Sequence, residues 1–131
     1  MRYMLDTHTL SHLARAHPAV AQRVLAVPMA TLCLSSISEA ELLFGLAKRP
    51  DAQRLHTVVR ELLRCIDVLP WDHAVAERYG PARAELVRQG KTLAPLDLLI
   101  AAHALSAGAV LVTSDQAFSQ VAGLAVEDWA R

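Results

Sequence analysis

Several features that would point to familiar chemistries are missing from this chain of 131 residues. There are only two cysteines, Cys33 and Cys65, and neither belongs to a Cys-x-x-Cys pair or a zinc pattern. Both fall in apolar, strand-like stretches and read as buried free thiols, as suits a reducing cytoplasm. No glycine-rich phosphate loop is present. The six histidines (8, 12, 17, 56, 73 and 103) form no metal-binding spacing, and His8 and His12, four apart, lie outside any His-Glu-x-x-His motif. The opening residues lead us to expect no signal peptide, and the longest apolar run near the C-terminus, Leu98–Leu111, is too short to span a bilayer and contains His103. Net charge is absent too. Thirteen Lys and Arg balance thirteen Asp and Glu, so no global field draws nucleic acid and any such role needs a local basic surface. Near-neutrality also weakens colloidal repulsion, which suits a protein that sits in a complex. Aromatics make up only 5% of the chain while 53% is hydrophobic, so the core is built from Ala, Leu and Val and the chain folds.

The length fits one domain spanning residues 1–131. Residues 2–5 form a short apolar run stopped by Asp6-Thr7, which reads as a buried strand. Helices are expected over about 8–16 and 19–25, parted by Pro18. Thr31–Ser35 is the next strand, followed by a helix through Glu39–Ala47 and another over about 51–63. Cys65–Leu69 reads as a strand. A long helix covers about 72–89, with Val75, Tyr79, Ala82 and Leu86 as its buried stripe. Leu96–Ala107 is a nearly all-apolar helix ended by Gly108, in which His103 reads as a hydrogen-bonded core or interface residue. Ala109–Val112 is a strand, Phe118–Val121 a short helix or loop, and Leu124–Val126 a last edge strand. Short apolar strands alternating with helices predict an α/β fold, with a central, mostly parallel sheet flanked by helices on both faces.

Active sites in such sheets lie beyond the carboxyl ends of the strands. Asp6 follows the first strand, Glu41 lies early in the helix after the second, Asp97 starts the apolar helix, and Asp115 follows the strand ending at Val112. Converging carboxylates repel, and a divalent cation removes that cost. Oxygen donors suit Mg²⁺, with Mn²⁺ as a substitute, and point to nuclease or phosphatase chemistry. Each acid also has a plainer reading. Glu41 could complete a capping box with Ser38, although Ser36 and Glu39 fit the same rule. Asp97 could favour its helix N-terminus, and Asp115 could cap a turn. Asp6 is the least easily explained in this way. The hydroxyls of Thr7, Ser36, Ser38 and Thr113 could hold these carboxylates or a water, or could be caps. Local basic candidates are Lys48, Arg49 and Arg54, or Arg83, Arg88 and Lys91.

These segments together resemble the PIN-domain ribonucleases, specifically the VapC toxins of bacterial toxin–antitoxin pairs. Tyr3-Met4-Leu5-Asp6-Thr7 resembles the first motif of that family. Ile37-Ser38-Glu39-Ala40-Glu41-Leu42-Leu43-Phe44-Gly45 resembles the second, with the acidic role on Glu41 and Glu39 left on the helix surface. The stretch Pro95–Leu105 resembles the third, assigning Asp97. Leu111-Val112-Thr113-Ser114-Asp115 resembles the fourth, with Thr113 and Asp115 near the metal, and residues 121–129 resemble the usual tail. The likeness covers essentially the whole chain, and four motifs in order at the right separations are specific together. One position departs. The family usually has Asn after Asp-Thr, and His8 stands there, a larger side chain that can become charged near neutral pH.

The resemblance implies a cytoplasmic Mg²⁺-dependent endoribonuclease. Asp6, Glu41, Asp97 and Asp115 would be its metal and catalytic ligands, and Thr7, His8, Ser38 and Thr113 would stand behind them. Lys48, Arg49, Arg83, Arg88 and Lys91 would hold the phosphate backbone. It further implies a transfer RNA substrate, with initiator tRNA favoured, inhibition of translation, a homodimer and a neutralising VapB-like antitoxin. The antitoxin would lie on the exposed parts of the helices around 40–47 and 55–63. The rival readings are another metal-dependent phosphoesterase and a non-catalytic RNA-binding or complex-forming protein that retains the fold.

Overall fold

The computed structural model describes residues 1–131. The chain runs β1 (Tyr3–Leu5), α1 (Thr7–Ala14), α2 (Pro18–Leu25), β2 (Leu32–Ser35), α3 (Ser36–Ala47), α4 (Gln53–Cys65), β3 (Asp67–Leu69), α5 (His73–Arg88), α6 (Pro95–Ala107), β4 (Val110–Val112) and β5 (Val126–Glu127). Short 3₁₀ turns cover Met29–Thr31 and Gln116–Gln120. The five strands form one all-parallel sheet in the order β3-β2-β1-β4-β5. From β1 the chain adds β2 and β3 on one side, then crosses to add β4 and β5 on the other. The reversal opens a crevice at the carboxyl ends of β1 and β4, the place where α/β sheets hold their ligands.

Successive strand residues point to opposite faces, and the two hydrophobic clusters divide along that alternation. Leu5, Leu32, Leu34 and Val112 pack with Leu10 of α1, Val20 and Val24 of α2, Leu42 and Leu46 of α3 and Val59 of α4. Met4, Cys33 and Leu111 pack on the other face with Leu86 of α5 and with Leu98, Ile100, Ala101 and Ala104 of α6. Both faces being covered explains why the strands read as apolar runs rather than as alternating ones. The small alanines let α6 lie close to the sheet. Gly108 ends α6 in the left-handed conformation at φ 62°, which a glycine adopts without a Cβ penalty. No helix is long and apolar enough to cross a membrane.

The expected elements appear with shifted ends, and two expectations about Cys65 fail. The strand placed over Cys65–Leu69 is only Asp67–Leu69, because α4 continues two residues further than its apolar stripe suggests. Ile66 is buried against the first cluster. Cys65, on the last helical turn beside it, is exposed and not a buried thiol. Its hydrogen bond to Glu61, at 3.5 Å, raises its pKa because a carboxylate beside the sulfur favours the neutral thiol. Cys33, buried in β2, is raised chiefly by burial.

A thiol titration of the native protein with Ellman's reagent is therefore expected to give one equivalent, from Cys65, at a rate below that of an ordinary cysteine. The second equivalent is expected only after denaturation. Two rapid equivalents from folded protein would contradict this placement of Cys33.

Candidate active site

Asp6 is the first residue beyond β1, and its backbone N–H continues the sheet by donating to Val112 O at 3.1 Å. It is 3% exposed. It also N-caps α1, its Oδ1 accepting the Thr9 N–H at 2.8 Å. Thr9 in turn donates its hydroxyl to Val112 O at 3.0 Å, so β1, α1 and β4 are tied together where the carboxylate sits. Thr7 donates its hydroxyl to Glu41 Oε1 at 2.6 Å, joining the first turn of α1 to the second turn of α3. Glu41 is therefore held across helices and takes no part in a capping box. The cap of α3 is Ser35, whose Oγ accepts the Ile37 N–H at 3.1 Å.

Asp97 lies in the first turn of α6 and faces the same space. Asp6, Thr7, His8, Ser11, Glu41 and Asp97, with Ile37, Ala40, Phe44, Leu96 and Ile100, line one cleft of about 500 Å³. Asp115 opens onto a neighbouring hollow with Thr113, Gln116, Ser119 and Asp128. Its charge nevertheless reaches the cleft. The Asp97 pKa is raised first by burial, then by repulsion from Asp115, Glu41 and Asp6 in that order, with His8 acting the other way. Coulomb coupling needs no shared wall, so Asp115 acts on Asp97 from the neighbouring hollow. Asp115 also caps the 3₁₀ turn, its Oδ1 accepting the Ala117 N–H at 2.9 Å, and Thr113 Oγ1 accepts the Asp115 N–H at 3.0 Å.

Three carboxylates on one cleft, with Asp115 beside it, make a hard, oxygen-only donor set that suits Mg²⁺ or Mn²⁺ and not a thiolate-seeking metal. No three Asp, Glu, His or Cys side chains close around a common point. An ion in the cleft would thus keep several waters, as Mg²⁺ does.

The remaining expected residues divide. Ser38 is fully buried on α3, one turn before Glu41, and its Oγ has no hydrogen-bond partner. His8 lines the cleft at an exposed position. Lys48 and Arg49 line a groove of about 190 Å³ between α1, α3 and α4 that begins at Thr7 and Glu41, and Lys48 Nζ rests 4.8 Å from the Phe44 ring centroid. Arg83, Arg88 and Lys91 line neither the cleft nor this groove. Arg88 is engaged by Glu85 at 2.6 and 2.9 Å, and that contact holds the Glu85 carboxyl down at about 2. Arg83 donates to the Tyr79 hydroxyl at 3.1 Å. Sequence reasoning missed Ser11 and Arg15, which line the groove. Their four-residue spacing from Thr7 along one helix face was the available signal. It also missed the contact between His103 and Ser35, for which the sequence holds no local sign.

A parallel sheet in this order, with carboxylates gathered at its switch point, is the arrangement of a PIN domain. The sequence pattern of that domain matches residues 3–124, and the chain belongs to the PIN-domain family. Within it the chain belongs with the VapC ribonucleases. It is 36% identical to the tRNA(fMet)-specific endonuclease VapC of Shigella flexneri over 131 residues, covering 99% of each chain. Among solved structures, it is similar to the DNA-bound VapBC of Salmonella typhimurium (TM-score 0.91, 34% identity, 98% of each chain). It is also similar to VapBC2 of Rickettsia felis bound to a promoter DNA fragment (TM-score 0.90, 29% identity, 98% of this chain and 99% of that one).

A carboxyl whose pKa is raised on folding lowers stability as pH climbs from its unfolded value to its folded one, because the native state then holds the proton that the unfolded chain has lost. Asp97→Asn removes that term. The metal-free variant is expected to melt a few degrees above the parent at pH 7 and to lose the parent's stabilisation by added Mn²⁺, as read by calorimetry. Equal melting temperatures without metal, and equal shifts with it, would count against a strained carboxylate at this position.

Proposed function

We propose that this endoribonuclease is Mg²⁺-dependent and cuts transfer RNA, with initiator tRNA as its preferred target. The observation that carries the reading is that Asp6, Glu41 and Asp97 line one cleft at the sheet switch point with Asp115 beside it, where burial first and then repulsion from the other three raise the Asp97 pKa. In this reading all four hold the ion, directly or through water. When bound, Mg²⁺ supplies Lewis-acid activation of a water and a counter-charge for the phosphoryl oxygens. The side chains do the rest. Thr7 holds Glu41 Oε1 and leaves Oε2 free of protein partners. The α1 N-terminus holds Asp6 Oδ1 and leaves Oδ2 for the cleft. The freed carboxylate oxygens orient the attacking water and accept its proton, and the products are a 5′-phosphate and a 3′-hydroxyl. His8 contributes positive charge to the cleft when protonated.

The chain is neutral as a whole, so the backbone of the RNA must be held locally. Arg15, Lys48 and Arg49 line the groove that runs out from Glu41 and supply that surface. They are better placed than Arg88, whose charge Glu85 neutralises. The tRNA assignment rests on the Shigella relative, and the VapB-like antitoxin on the VapBC complexes among the structural neighbours. The antitoxin is proposed to cover the α1–α3–α4 groove, whose walls combine Leu42, Leu46, Leu55 and Val59 with those basic side chains. Cutting initiator tRNA would stop translation, and the antitoxin would hold that activity in check. A homodimer is part of the same proposal, with exposed apolar side chains outside the cleft at Leu25, Met29 and Val87.

Antitoxin-free protein incubated with total tRNA and Mg²⁺ is expected to yield discrete fragments on a gel. EDTA should abolish them, and Asp6→Asn should reduce the rate by about a hundredfold or more, as removal of a main electrostatic contributor does. The double variant Lys48→Gln, Arg49→Gln is expected to raise KM and flatten the salt dependence while leaving kcat near the parent value. Fragments that persist with EDTA or with Asp6→Asn would overturn the metal-site reading.

A further inference from the structure

Apart from Asp97 in its first turn, α6 carries one other strongly polar side chain on its buried surface. Leu98, Ile100, Ala101, Ala102 and Ala104 are buried there, and His103 is buried among them at 3% exposure. A leucine would fill such a place without the cost of a desolvated imidazole. His103 instead reaches out of its helix, and its Nδ1 lies 2.7 Å from Ser35 Oγ. Ser35 is fully buried at the end of β2, and the same Oγ accepts the Ile37 N–H and so caps α3. A second tie lies beside the first. Trp71 donates its backbone N–H to Ser36 Oγ and its indole N–H to Leu99 O, both at 3.0 Å. The first turn of α3 is thus fastened to α6 at two points, and these two helices carry Glu41 and Asp97.

We infer that His103 is a positioning residue for the RNA-cleaving site: through Ser35 it fixes the register of α6 against α3 and hence the spacing of Asp97 from Glu41. The inference rests on the nuclease reading above. Close alanine contacts hold α6 near the sheet but resist sliding weakly, because they offer few interlocking side chains. A directional hydrogen bond supplies what the packing lacks. Ser35 Oγ accepts the Ile37 N–H and still has a proton to donate and a second lone pair, so it can bond His103 Nδ1 in either neutral tautomer. Burial lowers the imidazole pKa, opposed only in part by the charge of Asp72, and so favours the neutral ring. An error of about 1 Å in a reacting group can cost about a hundredfold in rate, so a small slip of α6 matters to chemistry long before it matters to folding.

The test compares the parent with His103→Leu, His103→Asn, Trp71→Phe and Ser35→Gly. It measures Mn²⁺ affinity by isothermal titration calorimetry, and kcat and KM for tRNA cleavage. His103→Leu is expected to keep a cooperative melting transition and a KM within about twofold, while kcat falls about tenfold to a hundredfold and Mn²⁺ binds more weakly. Asn places an amide oxygen near the former Nδ1 and should recover most of the loss. Trp71→Phe, which removes the second tie, should show a smaller loss of the same kind. Ser35→Gly keeps a tolerated cap residue while deleting the hydroxyl. It should match the leucine variant, and it decides the matter if that variant fails to fold. Parent-like kcat and Mn²⁺ affinity in a folded His103→Leu or Ser35→Gly protein would overturn the inference while leaving the nuclease reading intact. A parent protein that neither cuts RNA nor binds Mn²⁺ would overturn the nuclease reading and this inference together.

Discussion

The pairing of β1 with β4, Tyr3 opposite Val110 and Leu5 opposite Val112, decides where every acid of the cleft can lie. The pairing runs one residue past the strand, because the Asp6 N–H still donates to Val112 O. The first acid is thereby locked to the neighbouring strand before its helix begins. A slip of one residue would turn Met4 and Leu5 to the wrong faces and break both hydrophobic clusters at once. The alignment of the site is therefore protected by the burial of residues that never touch a substrate. Each fully buried leucine on those faces contributes about 1.5–3 kcal/mol, so the register is enforced by far more than the hydrogen bonds of three-residue strands.

That enforcement is needed because the site itself opposes folding. Two of the acids offset part of their own cost by capping: Asp6 for α1 and Asp115 for the 3₁₀ turn after β4. Each uses one oxygen on backbone N–H groups at a helical N-terminus, where a negative charge is favoured. Glu41 gains the Thr7 hydroxyl instead. Asp97 has no side-chain cap role and feels burial together with the three other charges, which is why its proton is held more tightly. The electrostatic cost of the acid cluster is thus concentrated on one carboxylate, carried by the helix that Ser35 and Leu99 tie down.

Much of this was legible in the chain because period and punctuation agreed. The apolar strands, Pro18, Gly108 and the stripe Val75–Tyr79–Ala82–Leu86 place their elements to within a residue or two. What failed were places where two rules matched the same residues. Cys65 and Ile66 fit either a strand start or a helix end, and only packing of Ile66 against the α1–α4 layer decides for the helix. Ser36, Ser38, Glu39 and Glu41 fit two capping boxes, yet Ser35, a strand residue, is the cap. For Asp115, cap and candidate ligand stood as alternatives, and for Asp6 no cap was foreseen, although a carboxylate has two oxygens and can do both. The His103–Ser35 contact joins residues 68 positions apart. No local pattern encodes it, and only the sheet order brings the two together.

The charge of the chain, balanced in total, is unbalanced in space. On α5, Arg88 is matched by Glu85, whereas Arg83 meets only the neutral Tyr79 hydroxyl and keeps its charge away from the cleft. Beside Glu41, Arg15, Lys48 and Arg49 line the groove, and no ion pair holds any of them. In the proposed reading an anionic strand is drawn to the α1–α3 side of the cleft, where Arg15, Lys48 and Arg49 share a groove with Glu41. The carboxylates repel a phosphate until a cation neutralises them. In the proposed nuclease, substrate binding and metal binding are then coupled by electrostatics, and each ligand should strengthen the other by the same factor.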